Sequence, residues 1–514
     1  MRIPIVTTLS IEKFVGGVIT VAESLTKNVI FGKRSNGEVF ATQRPVITID
    51  DDASDTVADE IGRGIGYFRA PGAIYFVNND TVYQGAYSSP LAANISSGTE
   101  RVYFFQVGDY FVILDPENNE GWYSTVALPT TLLQITDLQF PPNQTPALQL
   151  AKGGAVINKT LFVYTTNGEL WNSSVEDPTA WAGTDFINSE VSPDNGIVAF
   201  THNNHVVTVG EDSLEFFYWA SNPTGSPLNV REDLFYNVGA VDQDTFWSDA
   251  DNVFFVGQSK TGGISVYRLA NMELSVVSTK ELDSMLMTAE PLENISLLGS
   301  GFNTGGRSYY VLTFFYRGSS SIKTLASYVY DNSVGWTTWE LMQTGIDHCP
   351  LVDFVLSANS NIPYGVLANG DLVIYYDNFE PIEGELVLGW VETGWVEAGW
   401  VSQFLQENGQ NIEMEIITGT GDLNSQGDKY QANLRIAGKP TDSSQTLTVQ
   451  WSDNGSDNYN TGLTIDTSNL YSRINRGGKF ITRKYKLTYA GSEKIEIDGI
   501  DADFTGSINA QSGR

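Results

Sequence analysis

Short runs of β-branched and aromatic residues, separated by turn residues, make up most of the chain. Many of these runs are paired around a tight turn of Asn, Asp or Gly. Such turns favour positive φ, which Asn and Gly adopt at little cost, so each pair predicts a β-hairpin. The clearest predicted hairpins are 73–83, 102–114, 161–171, 206–219 and 364–376, and two more are predicted at 253–267 and 309–330.

Successive predicted hairpins recur every 30–55 residues or so, and helical periodicity is rare. This spacing is typical of the four-stranded blades of a β-propeller. One hairpin pair cannot bury both of its faces, whereas blades stacked around an axis can. Chains of β-sandwiches show similar hairpins, but the spacing favours a propeller of about six or seven blades.

A different pattern follows the last hairpin. Gly-Trp-Val occurs three times at a five-residue spacing, which gives Trp390, Trp395 and Trp400. An odd spacing places these residues on alternating faces of a regular strand, so only a bulged or bent ribbon would align them. Two interpretations stay open: an exposed aromatic contact ribbon, or a linker strand that packs its tryptophans into neighbouring domains.

A second set of β-runs begins near residue 412 and predicts a β-sandwich-like domain of about 100 residues. The predicted fold class is therefore all-β, a propeller followed by a sandwich-like domain. We expect four segments: 1–44, which closes the propeller or contacts a partner; the propeller, 45–385; the linker ribbon, 386–411; and the C-terminal domain, 412–514.

The charge balance limits the classes of function that are compatible with the chain. The chain has 61 Asp and Glu against 29 Lys and Arg, a formal net charge of −32. A surface this acidic repels phosphate, which argues against wrapping of nucleic acid but is compatible with a channel through which DNA slides. Solubility in a salty environment is the other explanation. No signal peptide and no apolar run of about 18 residues is found, so no membrane span is expected.

Candidate catalytic residues are sparse. The chain has three histidines, His202, His205 and His348, and we interpret the first two as polar loop residues because further metal ligands are lacking. Acid groups at 50–55, 211–212 and 242–244 are interpreted as solvated loop charge rather than as a glycosidase pair. Cys349 is the single cysteine, which excludes an internal disulfide. We expect no catalytic residue, no cofactor and no metal site.

Four groups of residues carry a family resemblance. They are the segments 43–47 and 62–66 with the hairpin 75–83, the stretch 161–217, which ends in Val-Gly-Glu-x-Ser-Leu-Glu-Phe-Phe, the stretch 237–267, and the segments 413–421 and 451–455. Together they resemble the packaged-DNA stabilisation proteins, also called tail nozzle or tail hub proteins, of podoviruses. The family usually has a further Gly and a Trp after the last segment, and residues 456–460 lack both.

The resemblance implies a structural, non-enzymatic role in the virion tail, after assembly in the host cytoplasm. Such proteins form a homohexameric ring below the portal and the tail adaptor protein. They extend the channel, retain packaged DNA, conduct it at ejection without sequence-specific binding, and carry tail fibres, a spike or a needle. The segment 1–44 would then be an adaptor contact. The alternative is a glycan-binding or glycan-hydrolysing propeller of the virion, with the three tryptophans as stacking platforms.

Overall fold

The computed structural model describes residues 2–3, 13–15, 18–20, 25–33, 39–44, 46–51, 61–188, 195–241, 243–249, 251–289, 295–304, 307–318, 321–332, 335–340, 351–356, 363–376, 390–391, 394–395, 406–407, 410–418, 429–453, 458–470 and 474–506. The chain divides into two compact units. One comprises 49–325 and 350–375, and the other comprises 1–48, 326–349 and 376–514. The four sequence-based segments stay predictions.

Seven short strands precede the repeated hairpins. They are β1 (Arg2–Ile3), β2 (Lys13–Val15), β3 (Val18–Thr20), β4 (Leu25–Lys27), β5 (Val29–Lys33), β6 (Val39–Gln43) and β7 (Val46–Asp51).

The unit 49–325 and 350–375 contains seven consecutive groups of antiparallel strands in its described residues, and each group is one propeller blade. Blade one is β8 (Gly62–Phe68), β9 (Ala73–Asn78) and β10 (Thr81–Gln84); blade two is β11 (Tyr103–Val107), β12 (Tyr110–Asp115), β13 (Glu120–Thr125) and β14 (Leu128–Gln134). The strand β15 (Lys152–Gly153) pairs with blade four. Blade three is β16 (Ala155–Ile157), β17 (Thr160–Tyr164), β18 (Glu169–Ser174) and β19 (Asp177–Asn188).

The remaining blades follow the same antiparallel order. Blade four is β20 (Gly196–His202), β21 (His205–Gly210), β22 (Leu214–Trp219) and β23 (Leu228–Tyr236). Blade five is β24 (Val238–Ala240), β25 (Trp247–Ser248), β26 (Asn252–Ser259), β27 (Ile264–Ala270) and β28 (Glu273–Val276), followed by the helix α1 (Lys280–Ala289). Blade six is β29 (Ile295–Thr304), β30 (Arg307–Gly318) and β31 (Ser321–Asp331).

Blade seven closes the ring with a strand from the other end of the repeat. It contains β33 (Leu351–Leu356), β34 (Pro363–Leu367) and β35 (Leu372–Tyr376), and its outermost strand is β7, which precedes blade one in the chain. This closure ties the first and last blades together. The closing strand β7 begins at Val46, just after the segment 1–44. For that segment, the sequence left two functions open, closure of the propeller or contact with a partner.

Apolar clusters fill the spaces between neighbouring blades. Phe68 of blade one stacks on Phe111 of blade two with ring centroids 5.0 Å apart, and Phe254 of blade five stacks on Tyr310 of blade six at 5.2 Å. Other clusters join blades two to three, three to four, four to five, and seven to one. Each fully buried large side chain contributes roughly 1.5–3 kcal/mol, so these clusters stabilise the contacts between neighbouring blades.

Glycines allow the blades to approach closely at the inner strand of blade one. A Cβ on Gly66 would lie 2.5 Å from Cγ of Phe104 in blade two, and a Cβ on Gly62 would lie 2.1 Å from the carbonyl oxygen of Leu367 in blade seven. Both distances are far below van der Waals contact. The alternating glycines of residues 62–66 are therefore needed where three blades converge.

The second unit contains two sheets that share one core. Its further strands are β32 (Gly335–Thr338), β36 (Trp390–Val391), β37 (Gly394–Trp395), β38 (Gln406–Glu407), β39 (Gln410–Asn411), β40 (Met414–Ile417), β41 (Lys429–Lys439), β42 (Thr446–Asp453), β43 (Leu463–Asp466), β44 (Ile474–Phe480), β45 (Arg483–Tyr489) and β46 (Glu496–Gly506). One sheet has the order β44-β41-β46-β6-β5, and the other contains β32-β4-β40-β45-β42-β43.

The core of this unit takes side chains from both sheets. Leu434 and Ile497 come from the first sheet and Leu447 and Leu487 from the second, and all four are 0% exposed. Two sheets over one apolar layer form a β-sandwich.

The predicted all-β fold with a propeller is confirmed. No helix among the described residues is long and apolar enough to cross a bilayer.

Candidate functional site

Arg101 connects several blades across the propeller axis. It lies just before β11 of blade two and is 8% exposed. Its Nη2 donates to Oδ1 of Asp353 in blade seven at 2.6 Å. Its Nη1 donates to the carbonyl oxygens of Phe246 in blade five (3.0 Å) and Gly299 in blade six (2.9 Å). Blade five is three blades away from blade two, so the guanidinium spans the middle of the ring.

Lys152 makes a second set of ion pairs beside the first. Its Nζ lies 2.8 Å from Oδ1 of Asp244 in blade five and 2.9 Å from Oε2 of Glu100, the residue before Arg101. Tyr103 also donates to Oδ1 of Asp244, at 3.5 Å. We call Glu100, Arg101, Tyr103, Lys152, Asp244 and Asp353 the axial network. Its members come from four blades and from the segment before blade two.

The carboxylates keep both cations of the network charged. Burial opposes the charged form of Lys152, but Asp244 reverses this effect, and the pKa of Lys152 is raised above its ordinary value. Burial likewise opposes the charge of Arg101, and Asp353 again raises the pKa. Buried charges are stable only when they are paired and hydrogen-bonded, as they are here. Burial raises the pKa of Asp353 even though Arg101 opposes this rise, but the raised pKa of Arg101 and the 2.6 Å distance between Nη2 and Oδ1 indicate an ion pair. The network therefore binds the blades to one another through paired charges.

A cavity lies on the axis next to this network. Its volume is about 370 Å³. Residues of the inner strands of five blades line it, and most are aromatic or apolar, among them Tyr67, Phe104, Phe200, Trp247 and Phe354. Small-molecule sites have volumes of about 300–1,000 Å³, so this space is of ligand size and far too small for duplex DNA. The axis of one propeller is therefore not a DNA channel.

Arg63 joins blades one and two in the same manner. Its side chain and that of Asp115 are fully buried, and Nη2 of Arg63 lies 2.8 Å from Oδ2 of Asp115. Its Nε donates to the carbonyl oxygen of Glu100, and its Nη1 donates to those of Asn79 and Ser96. The arginine within residues 62–66, which contributed to the family resemblance, thus has a structural role.

The structure corrects the interpretation of Asp244 as solvated loop charge, because this residue is 7% exposed and paired with Lys152.

The two histidines of the predicted loop lie at a hairpin turn. His202 and His205 are cross-strand partners at the turn between β20 and β21. His202 is 2% exposed, and burial followed by the nearby His205 lowers its pKa. No cluster of three or more potential metal ligands occurs among the described residues. His348 and Cys349 lie outside them.

The tryptophan ribbon is described only in part. The strands Trp390–Val391 and Gly394–Trp395 pair antiparallel, with Trp390 opposite Trp395, and Trp400 lies outside the described residues. The function of this ribbon as a contact surface stays a prediction. The sequence analysis did not find Arg101 or Lys152, because no local pattern marks a cation whose partners lie on other blades.

A sequence profile of the family described as "Bacteriophage P22 Gp10, beta-propeller" matches residues 35–359, more than half of the chain. The chain belongs to this family. Members of the P22 Gp10 propeller family are bacteriophage structural proteins that stabilise packaged DNA, so this member is a virion component. The resemblance found in the sequence is confirmed, and the matched range covers all seven blades except parts of the last.

Two solved structures illustrate how weakly the chain resembles more distant proteins in sequence and structure. An S. cerevisiae structure of Dbp5 bound to Nup159 and Gle1 shares 10% identity, with 68% of this chain and 98% of that chain covered and a TM-score of 0.37. BamB from Moraxella catarrhalis shares 11% identity, with 71% and 99% covered and a TM-score of 0.32. These scores support no conclusion about this chain. A search of curated proteins found no match.

Proposed function

We propose that this protein is the tail nozzle, or tail hub, of a short-tailed bacteriophage. It assembles in the host cytoplasm onto the tail adaptor protein as a homohexameric ring, extends the portal channel, retains packaged DNA and conducts it at ejection. Membership of a phage family that stabilises packaged DNA is the observation that carries this proposal.

The closed propeller axis favours a conduit between copies rather than within one. The axial network crosses the middle of the ring, and the cavity beside it holds about 370 Å³. DNA therefore passes through a lumen that several copies enclose. A cyclic assembly supplies such a lumen, since each copy contributes one sector of the wall.

The charge of the chain supports the conduction of DNA. A formal charge of −32 on each copy offers phosphate no counter-charge. Tight non-specific binding of DNA requires Lys and Arg that release condensed counterions, and an acidic wall lacks that driving force. DNA in such a lumen moves without adhering, while its retention depends on a closed exit.

The remaining partners follow from the position of a nozzle. The adaptor protein binds one end of the ring, and tail fibres, a spike or a needle bind the other. The segment 1–44 is our candidate for the adaptor contact. The ribbon of Trp390, Trp395 and Trp400 is the candidate for a partner at the distal end.

The copy number of the chain in purified virions tests this function. Peptide mass spectrometry would quantify it against the portal protein of the same particles. A nozzle predicts about six copies for every twelve portal subunits, as expected for a closed ring below a twelve-fold portal. Hundreds of copies would indicate a capsid decoration, and absence from the particles would refute the tail function.

A further inference from the structure

The cavity on the propeller axis is closed at one end. We call it the axial cavity, and its volume is about 370 Å³. A much smaller space of about 40 Å³ lies on the other side of the axial network, and Arg101 lines both spaces. The network therefore separates the two and closes the larger one at that end. Ser248, which is exposed, is among the residues that line the axial cavity, so the cavity opens to solvent.

Aromatic side chains from three blades form much of the wall. Tyr67 of blade one, Phe104 and Phe105 of blade two, and Phe354 of blade seven line the axial cavity. All four are only half-buried, although their rings lie on inner strands. Aromatic rings prefer stacked or edge-to-face contacts with other rings. A ligand-sized space with partly uncovered rings in its wall therefore favours a planar aromatic molecule.

The same wall contains polar groups without a partner. A guanidinium has five N–H donors, and Asp353 and two backbone carbonyls accept from three of those of Arg101. The Nε atom of this arginine is buried and bonds to nothing in the described part of the chain. The buried hydroxyl of Tyr67 likewise has no partner among the described residues. Buried polar groups are almost always hydrogen-bonded, so a hydrogen-bond acceptor against this wall would complete the site.

The charges of the wall favour an uncharged ligand. Arg101 is paired with Asp353, so the two charges offset one another. A cation in the cavity would meet the guanidinium, which disfavours the quaternary ammonium ions that aromatic cages bind. An anion would have to approach a chain with a formal charge of −32.

We propose that the axial cavity binds an uncharged, planar aromatic molecule that carries a hydrogen-bond acceptor. The ring of the ligand packs against the aromatic side chains of the inner strands, and its acceptor pairs with the hydroxyl of Tyr67 and with the guanidinium of Arg101. Residues of five blades line the cavity, so the bound molecule connects these blades and stabilises the propeller against unfolding. The site belongs to a single copy and does not depend on the nozzle assembly.

Coumarin is the probe, because it is uncharged and planar and its ring carbonyl is an acceptor. Isothermal titration calorimetry of the purified full chain should show one saturable site with a dissociation constant of about 1 mM or tighter. A saturating concentration should also raise the melting temperature of the protein. Absence of saturable binding, or binding without that rise, would overturn the proposal.

Two charged probes test the choice of an uncharged ligand. Choline is a cation of the kind that aromatic cages bind, and benzoate is a planar aromatic anion with an acceptor. Neither should bind at concentrations that saturate the site with coumarin. Choline binding would mean that the aromatic wall outweighs the guanidinium, and benzoate binding would mean that the guanidinium attracts anions. Either result would overturn the proposed ligand class.

Substitutions locate the binding within the protein. Ser248→Trp introduces a large side chain at an exposed lining position and should abolish coumarin binding, whereas Ser174→Trp, at an exposed position of blade three outside the cavity, should leave it unchanged. The melting temperature of each variant without coumarin shows whether it folds. Coumarin binding that survives Ser248→Trp would place the ligand elsewhere and overturn the proposal.

Tyr67→Phe tests the hydrogen bond separately. The substitution keeps the ring and removes only a hydroxyl that has no partner in the described part of the chain, so the free protein should keep its melting temperature. Coumarin should bind at least about threefold more weakly, as expected for the loss of one hydrogen bond. An unchanged dissociation constant would refute the pairing of the ligand with Tyr67.

Discussion

Replacement of Arg101 by Met should destabilise the propeller strongly. Methionine keeps most of the length and the apolar stem of the arginine but removes the guanidinium. Asp353 then loses its partner at 2.6 Å, and the carbonyl oxygens of Phe246 and Gly299 lose their donors. The side chain of Asp353 is only 15% exposed, so water restores little of the lost interaction.

The expected cost follows from these losses. Removing one partner of a buried ion pair costs about 3–5 kcal/mol, because the other charge stays buried and uncompensated. A buried acceptor without a donor adds about 1–3 kcal/mol, although local relaxation reduces this figure. We therefore expect the free energy of unfolding to fall by at least about 3 kcal/mol. The double variant Arg101→Met with Asp353→Leu should regain part of it, since no unpaired carboxylate remains.

Urea unfolding followed by tryptophan fluorescence measures this effect as a lower midpoint at an unchanged slope. Arg231→Met is the matched control, because Arg231 pairs with Asp233 at the surface, where the two side chains are 32% and 70% exposed. Exposed ion pairs contribute little to stability. If Arg101→Met lowers the midpoint no more than Arg231→Met does, the axial network does not hold the blades together and our reasoning is wrong.

Three further predictions test other parts of the fold. Gly66→Ala should cost about 1–3 kcal/mol of unfolding free energy because its Cβ would overlap blade two, whereas Gly263→Ala, with only one atom near, should be silent in the same urea assay. Arg483→Met should lower the melting temperature of the sandwich unit clearly more than Arg435→Met, since the first arginine is 3% exposed and bidentate on a carboxylate and the second is at the surface. The pKa of His202 is lowered in the folded state, so the unfolded state takes up the proton of this residue at a higher pH. The contribution of neutral His202 to stability is therefore fully present above about pH 6.5 and is lost as the pH falls. His202→Gln should reduce the decrease of the urea midpoint between pH 7 and pH 5.

The hairpins could be predicted because their information is local. The turn at residues 78–80 requires positive φ, and Asn79 has φ 49°; Gly168 and Gly370 adopt φ 85° and 93° in two other predicted turns. Residue types that tolerate this conformation lie directly between apolar runs. A short stretch of sequence is therefore enough to predict both the turn and the two strands that it connects. The repeat of such stretches then predicted the propeller.

The axial network could not be predicted because its information is distant in sequence. Arg101 and Asp353 are 252 residues apart, and Lys152 pairs with acids on two different segments. In the sequence, Asp244 looks like any other acid among 61. Only the closure of the ring brings these groups into one low-dielectric space, where each charge needs a partner.

The distribution of the charges connects the fold with the proposed conduit. Seven basic side chains are buried in the described part of the chain, against six acidic ones, although the chain has 29 bases and 61 acids. The buried bases are Arg44, Arg63, Arg101, Lys152, Lys429, Arg483 and Lys484. In the described part of the chain, folding thus buries slightly more cations than acids, although acids outnumber bases about two to one in the sequence. The cations join blades and strands from within, and the exposed surface of the described residues is left more acidic than their composition alone implies. Repulsion from such a surface acts over about 10 Å at 0.1 M salt. Within that distance, an acidic wall of the proposed conduit repels the phosphates of passing DNA before they come into contact with it.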